Sequence, residues 1–155
     1  MRSKTSAGLL MFRRTTDGLQ ILLVHPGGPF FRAKDEGTWT IPKGEVTEGE
    51  DLLARARIEF QEELGIACSG AWMELGSVKQ KGGKVVHAWA FEGDLPDGFE
   101  LKSNTFQLEW PPRSGKTQTF PEVDKAAFFS LEEARRKMNP AQTVFIDRLL
   151  ALLGR

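Results

Sequence analysis

Gly44-Glu45-Val46-Thr47-Glu48-Gly49-Glu50-Asp51-Leu52-Leu53-Ala54-Arg55-Ala56-Arg57-Ile58-Glu59-Phe60-Gln61-Glu62-Glu63-Leu64-Gly65-Ile66 is the stretch on which the fold turns. Its second half predicts a helix, because Leu53, Ala56, Phe60 and Leu64 recur at helical spacing as one apolar stripe. At about 100° per residue, Glu59, Glu62 and Glu63 fall within an arc of about 100° beside that stripe. The helix is expected to begin near Asp51, where a carboxylate suits the positive end of the helix dipole. Gly65 follows the last stripe residue, the place where a left-handed cap takes glycine.

Three carboxylates on adjacent helical positions repel one another unless something positive lies between them. One reading is a solvated acidic face. The other is a hard divalent cation with oxygen ligands, and Mg²⁺ is usually held by a few carboxylates together with substrate phosphates.

The whole run resembles the signature of the Nudix hydrolases, G-x5-E-x7-R-E-U-x-E-E-x-G-U with U a bulky apolar residue. Gly44, Glu50, Glu59, Phe60, Glu62, Glu63, Gly65 and Ile66 match it in register, and Ile58 stands where the family has arginine. The lead-in Trp39-Thr40-Ile41-Pro42-Lys43-Gly44 is similar to Nudix enzymes acting on dinucleoside polyphosphates. The resemblance implies an α/β fold, the Nudix α/β/α sandwich with a mixed central sheet. It also implies hydrolysis of a nucleoside diphosphate linked to another moiety, a small-molecule nucleotide, assisted by Mg²⁺ or Mn²⁺. By the same resemblance Glu62 and Glu63 are the principal metal ligands, and Glu59 is a ligand or the base that activates water. The Lys43 carbonyl is a further ligand, and Glu50 holds its loop against the helix, alongside the structural glycines Gly44 and Gly65. Many members add a carboxylate from a later loop; Glu122 is the expected one, with Glu109 and Asp124 behind it.

The chemistry agrees with the residues. Attack of water on a pyrophosphate builds negative charge on phosphoryl oxygens, which clustered carboxylates can offset by holding cations, while another carboxylate takes the proton. Lys43 is the best-placed phosphate contact, ahead of Arg32, Lys34, Lys79 and Lys81. Trp39 is either core or part of the substrate pocket. His25 and His87 lie in expected strands and are read as structural.

A chain of 155 residues with 40% hydrophobic content is long enough for one domain, expected over 1–155. Charged residues make up 27% and sum to zero net charge, which argues against a general nucleic-acid or membrane-surface binder. One cysteine, Cys68, excludes an intrachain disulfide. With no membrane-length apolar run and no signal-peptide pattern, a cytoplasmic location is expected.

Around the central stretch, Ser6–Phe12 and Leu19–His25 are apolar runs joined at Asp17-Gly18, a hairpin signal. Pro26–Gly37 reads as a loop and Thr38–Ile41 as a short strand. Glu74–Gln80 and Val85–Glu92 flank a second hairpin turn at Lys81-Gly82-Gly83-Lys84. Residues 99–110 show no clear period, Pro111–Lys116 reads as a loop, and Phe120–Phe129 as extended. Ser130 with Glu133 predicts a capped helix, and Asn139-Pro140 starts a last one with the stripe Val144, Phe145, Leu149, Leu152.

Ile58 poses the question the signature leaves. Arg55, four residues before Glu59, can supply the missing cation, and Arg57 can approach Glu50. If neither does, the alternative is a Nudix-fold nucleotide-binding or regulatory module with weak turnover. Ile58→Arg is expected to raise turnover and Arg55→Ala to lower it.

Overall fold

Period-2 alternation in the first two strands sets up two opposite core faces. Strands β1 (Thr5–Thr15) and β2 (Gly18–Pro26) form the expected hairpin, with Thr15 opposite Gly18 in the computed structural model, which describes residues 4–154. On β1, Leu10 and Phe12 enter one core with Ile21 and Leu23 of β2. Ala7, Leu9 and Met11 enter the other with Leu22 and Val24. Both faces of these strands are therefore buried, which is why they read as near-continuous apolar runs.

Following in order are β3 (Lys43–Glu45), α1 (Leu52–Leu64), β4 (Met73–Lys79), β5 (Val85–Glu92), β6 (Thr105–Glu109) and β7 (Thr117–Pro121). The chain ends with β8 (Val123–Ser130), α2 (Leu131–Lys137), a 3-10 turn (Pro140–Thr143) and α3 (Val144–Leu152). The main sheet runs β4-β5-β1-β2-β8, with β3 pairing the start of β1. It is mixed: β5 lies parallel to β1, and the remaining pairs are antiparallel. Helix α1 covers one face through Ala56, Phe60 and Leu64. Ala134, Phe145, Ile146 and Leu149 of α2 and α3 cover the other, giving an α/β/α sandwich.

Three local expectations change. Thr38–Ile41 makes only isolated bridges, Thr40 to Val24 and Trp39 to Met138. Pro42 next to it has no N–H to donate and offers only its carbonyl, which accepts from Leu9 N at 3.1 Å; the ladder begins at Lys43. The extended run 120–129 splits at Glu122, whose N–H donates to the Asn104 carbonyl at 2.8 Å while its carbonyl accepts from Gly27 at 2.9 Å. Strands β6 and β7 then form a two-stranded sheet of their own. In α3, Val144 and Leu152 are exposed and Ile146 takes their place in the core. At about 100° per residue Phe145, Ile146 and Leu149 share an arc of about 100°, Val144 lies outside it, and Leu152 is the last residue of the helix.

Ser130 caps α2 as expected, its hydroxyl accepting from Glu133 N at 3.2 Å. Among the described residues no helix is long and apolar enough to cross a membrane.

Candidate active site

Both ends of α1 are closed by the residues the stretch supplies. Asp51 accepts from Ala54 N at 2.9 Å, and Gly65 adopts φ 75° while donating to the Gln61 carbonyl at 2.7 Å. The loop ahead of the helix is folded on Glu50, whose Oε1 accepts from Thr47 N at 2.7 Å and from its hydroxyl at 2.6 Å.

Arg55 ties this loop to the acidic side of the helix. Its Nε and Nη2 donate to Glu50 Oε2 at 2.9 and 2.5 Å, and Nη1 donates to Glu59 Oε1 at 3.3 Å. The Arg55 guanidinium and the Thr47 bonds hold the Glu50 carboxyl down at about 2. Ile58 points outward with 43% of its surface exposed. Arg57 does not approach Glu50: its guanidinium lies 5.3 Å from the Trp72 ring centre, which leaves the bridging to Arg55.

A cavity of about 410 Å³ opens beside the helix and gathers Glu59, Glu62 and Glu63 with Glu122, Lys43 and Lys84. Glu63 accepts from Lys43 N at 2.9 Å. Burial pushes the Glu63 carboxyl up to about 8, against the opposing pull of that N–H and of the Lys43 ammonium. Burial likewise lowers the Lys43 ammonium, with Glu63 opposing. Glu59 is raised by burial and then by the Glu62 charge, while Arg55 pulls it down.

Gly44 makes this packing possible. A Cβ there would overlap the Glu59 carboxyl group, so Gly44→Ala must move the carboxylate off its place. The expected result is a loss of about tenfold or more in turnover with an unchanged fold, read by kinetics beside circular dichroism. Wild-type kinetics in a folded variant would remove Gly44 from the positioning of Glu59.

Among the described residues no three Asp, Glu, His or Cys side chains stand close enough together to enclose one metal ion. The array is instead open and made of oxygen donors that raise one another's proton affinity. That suits Mg²⁺, which keeps several waters and is held by one or two carboxylates plus substrate phosphates rather than by a closed protein cage. The carboxylates that line this cavity, and from which one or two could contribute to such an ion, include Glu59, Glu62, Glu63 and Glu122.

Some expected residues lie elsewhere. Trp39 is 6% exposed, packs edge-on against Phe129 at 4.9 Å and His25 at 5.3 Å, and donates its indole N–H to Asp35 at 2.8 Å. It belongs to the core behind the site and not to the cavity wall. Glu109 accepts from Gly115 N at 3.1 Å in the β6–β7 loop. Asp124 is engaged by buried His25, whose other ring nitrogen meets the Lys34 carbonyl, each at 2.7 Å. Lys84, Ser6 and Asn104 line the cavity and were not anticipated. Lys84 closes the β4–β5 turn, and only the parallel pairing of β5 with β1 brings it beside Lys43. Its position within a Gly-Gly hairpin turn was the available signal.

The fold and this acidic cavity define a class, an α/β/α sandwich with a carboxylate-bearing helix against its sheet. The family model for the NUDIX domain matches residues 2–149, and the chain belongs to that family. Nudix hydrolase 7 of Arabidopsis thaliana is 37% identical over 60 residues, which cover 39% of this chain and 20% of that protein. The chain thus matches about a fifth of that relative's length. Among solved structures, a C. elegans Ap4A hydrolase binary complex superposes with a TM-score of 0.70 at 21% identity, covering 96% of this chain and 98% of the other. The NUDIX domain of Shewanella oneidensis NrtR complexed with ADP ribose gives 0.67 at 13% identity, covering 99% and 90%. At those identities the superpositions establish the fold.

Proposed function

We propose that this protein is a pyrophosphohydrolase that cleaves a nucleoside diphosphate linked to another moiety, with nucleoside polyphosphates, diadenosine polyphosphates among them, as the substrate class. One observation carries the reading: five carboxylates (Glu45, Glu59, Glu62, Glu63 and Glu122) and two lysines line one cavity at the signature helix. Mg²⁺ or Mn²⁺ bound there would supply positive charge to phosphoryl oxygens and lower the proton affinity of water. Glu62 and Glu63 are its principal holders in this reading. Lys43 and Lys84 face the same space and hold phosphate oxygens by charge-assisted bonds. Glu59, whose proton affinity is raised by burial and by Glu62, is the carboxylate suited to take a proton from water, and Arg55 holds its carboxyl in place.

The competing reading, a nucleotide-binding module without turnover, drew its motive from Ile58. Arg55 already pairs with both Glu50 and Glu59, so that motive is weakened.

The test is product-resolved chromatography with Mg²⁺ or Mn²⁺ across nucleoside triphosphates, dinucleoside polyphosphates and nucleotide sugars. Release of a nucleotide is expected, and Glu122→Gln is expected to slow it about tenfold. Tight calorimetric binding with no product under either metal would establish the binding module instead.

A further inference from the structure

Beyond the carboxylates lies a groove of about 460 Å³ that shares Lys43, Glu63 and Glu122 with the first cavity and extends to Gln80, Asn139 and Phe31. The polarity of its two amides is dictated by main-chain groups. Gln142, fully buried in the 3-10 turn, has one amide atom 3.1 Å from the Ile41 N–H. A main-chain N–H only donates, so that atom is Oε1. Gln142 Nε2 is then the group facing Gln80, and at 2.8 Å it donates to Gln80 Oε1. Gln80 is left with its NH₂ as the free end of the amide. The same logic applies to Asn139: its Oδ1 accepts from Ala141 N at 3.0 Å, leaving Nδ2 as the donor. Among the described residues neither amide nitrogen has a protein partner in the groove. Lys34, also on the wall, can only donate, and Phe31, 37% exposed, offers an aromatic face.

We propose that this groove is a subsite for the keto edge of a purine, with Gln80 and Asn139 as specificity-determining donors. Hypoxanthine and guanine present two acceptors, O6 and N7, on that edge. Adenine presents N7 beside an N6 amino donor, which would face a second donor and leave both without a partner. Gln142 is a positioning residue that acts through Gln80. The assignment rests on the neighbouring cavity being a nucleotide site, and within that substrate class it ranks guanosine and inosine nucleotides above the diadenosine polyphosphates. A phosphate group is also an acceptor, so inorganic pyrophosphate serves as the competing probe.

The test uses side-chain amide signals of the ¹⁵N-labelled protein titrated with IMP and AMP, which carry no anhydride bond and cannot be turned over. IMP is expected to shift the Gln80 and Asn139 NH₂ signals and to bind about tenfold more tightly than AMP. Gln80→Met should lower IMP affinity about tenfold and leave AMP affinity unchanged. Gln142→Glu carries two acceptors, so it turns the Gln80 amide around, presents its oxygen to the groove and shifts preference toward AMP. If the buried glutamate prevents folding, Gln80→Met on the partly exposed side decides alone. Equal affinity for IMP and AMP, an unchanged IMP affinity in Gln80→Met, or pyrophosphate alone shifting both amide signals as IMP does would overturn the proposal. IMP binding at these amides in a protein that hydrolyses no polyphosphate would uphold the groove and sink the hydrolase reading.

Discussion

Glu63→Gln is expected to lower turnover by about 10³-fold while raising stability at neutral and alkaline pH. The two effects have one cause. Glu63 is partly buried in the cavity wall, and its carboxyl is pushed up to about 8 from an ordinary 4.5. A carboxyl raised in the folded state contributes stability that is fully present below pH 4.5 and is lost as pH rises through about 8. Across that window the unfolded chain carries the charge freely, whereas the folded chain must bury it. Glutamine keeps an oxygen to accept from Lys43 N and carries no charge. Thermal melts should therefore coincide at pH 4.5 and diverge by pH 8, with the variant more stable by on the order of 3 kcal/mol. Mg²⁺ should raise the native melting temperature more than that of the variant, because a cation offsets a charge only the native protein has. Parallel pH–stability curves would remove the buried charge from the account, whatever the kinetics.

The same residue shows why the carboxylate cluster was legible in advance. Glu63, Glu59 and Glu62 lie on one helix with caps at Asp51 and Gly65, so local spacing alone orders them. The β1–β2 hairpin was readable for a similar reason, since Asp17-Gly18 and two apolar runs lie within a single turn of each other. Residues brought in by distant pairing were not. Lys84 reaches the cavity through β5 lying parallel to β1, and β6 pairs with β7 across a loop that carries no alternation of its own. Trp39 illustrates a different limit. An aromatic residue beside a signature can stack on a ligand or fill a core, and only its packing against Phe129 and His25 decides for the core. Val144 and Leu152 were placed inward by helical spacing, whereas the face that packs centres on Phe145, Ile146 and Leu149, with Val144 outside that arc and Leu152 at the helix end.

Arg55→Ala is expected to reduce turnover about 10²-fold, and Ile58→Arg to restore about tenfold of it in that background. The argument starts from the fork. Arg55 holds Glu50 through two N–H bonds and Glu59 through a third, so one guanidinium fixes both the loop and a working carboxylate. Its removal frees Glu59 to rotate away and leaves Glu59 facing Glu62 with no cation between them, which raises its proton affinity further. The pH–rate profile should accordingly shift to higher pH on its acidic limb, a change that loosened packing alone would not produce. Lysine at the same position keeps the charge and loses the fork, so Arg55→Lys should recover the profile more than the rate. Arginine at Ile58 starts from an exposed position one residue before Glu59 and three after Arg55. In the native background it competes with a fork already made, so its gain there should be smaller than in Arg55→Ala. A double-mutant cycle reads this difference directly. Additive effects of the two substitutions would mean that Arg55 and the position of Ile58 serve different groups, and the compensation between them would fall.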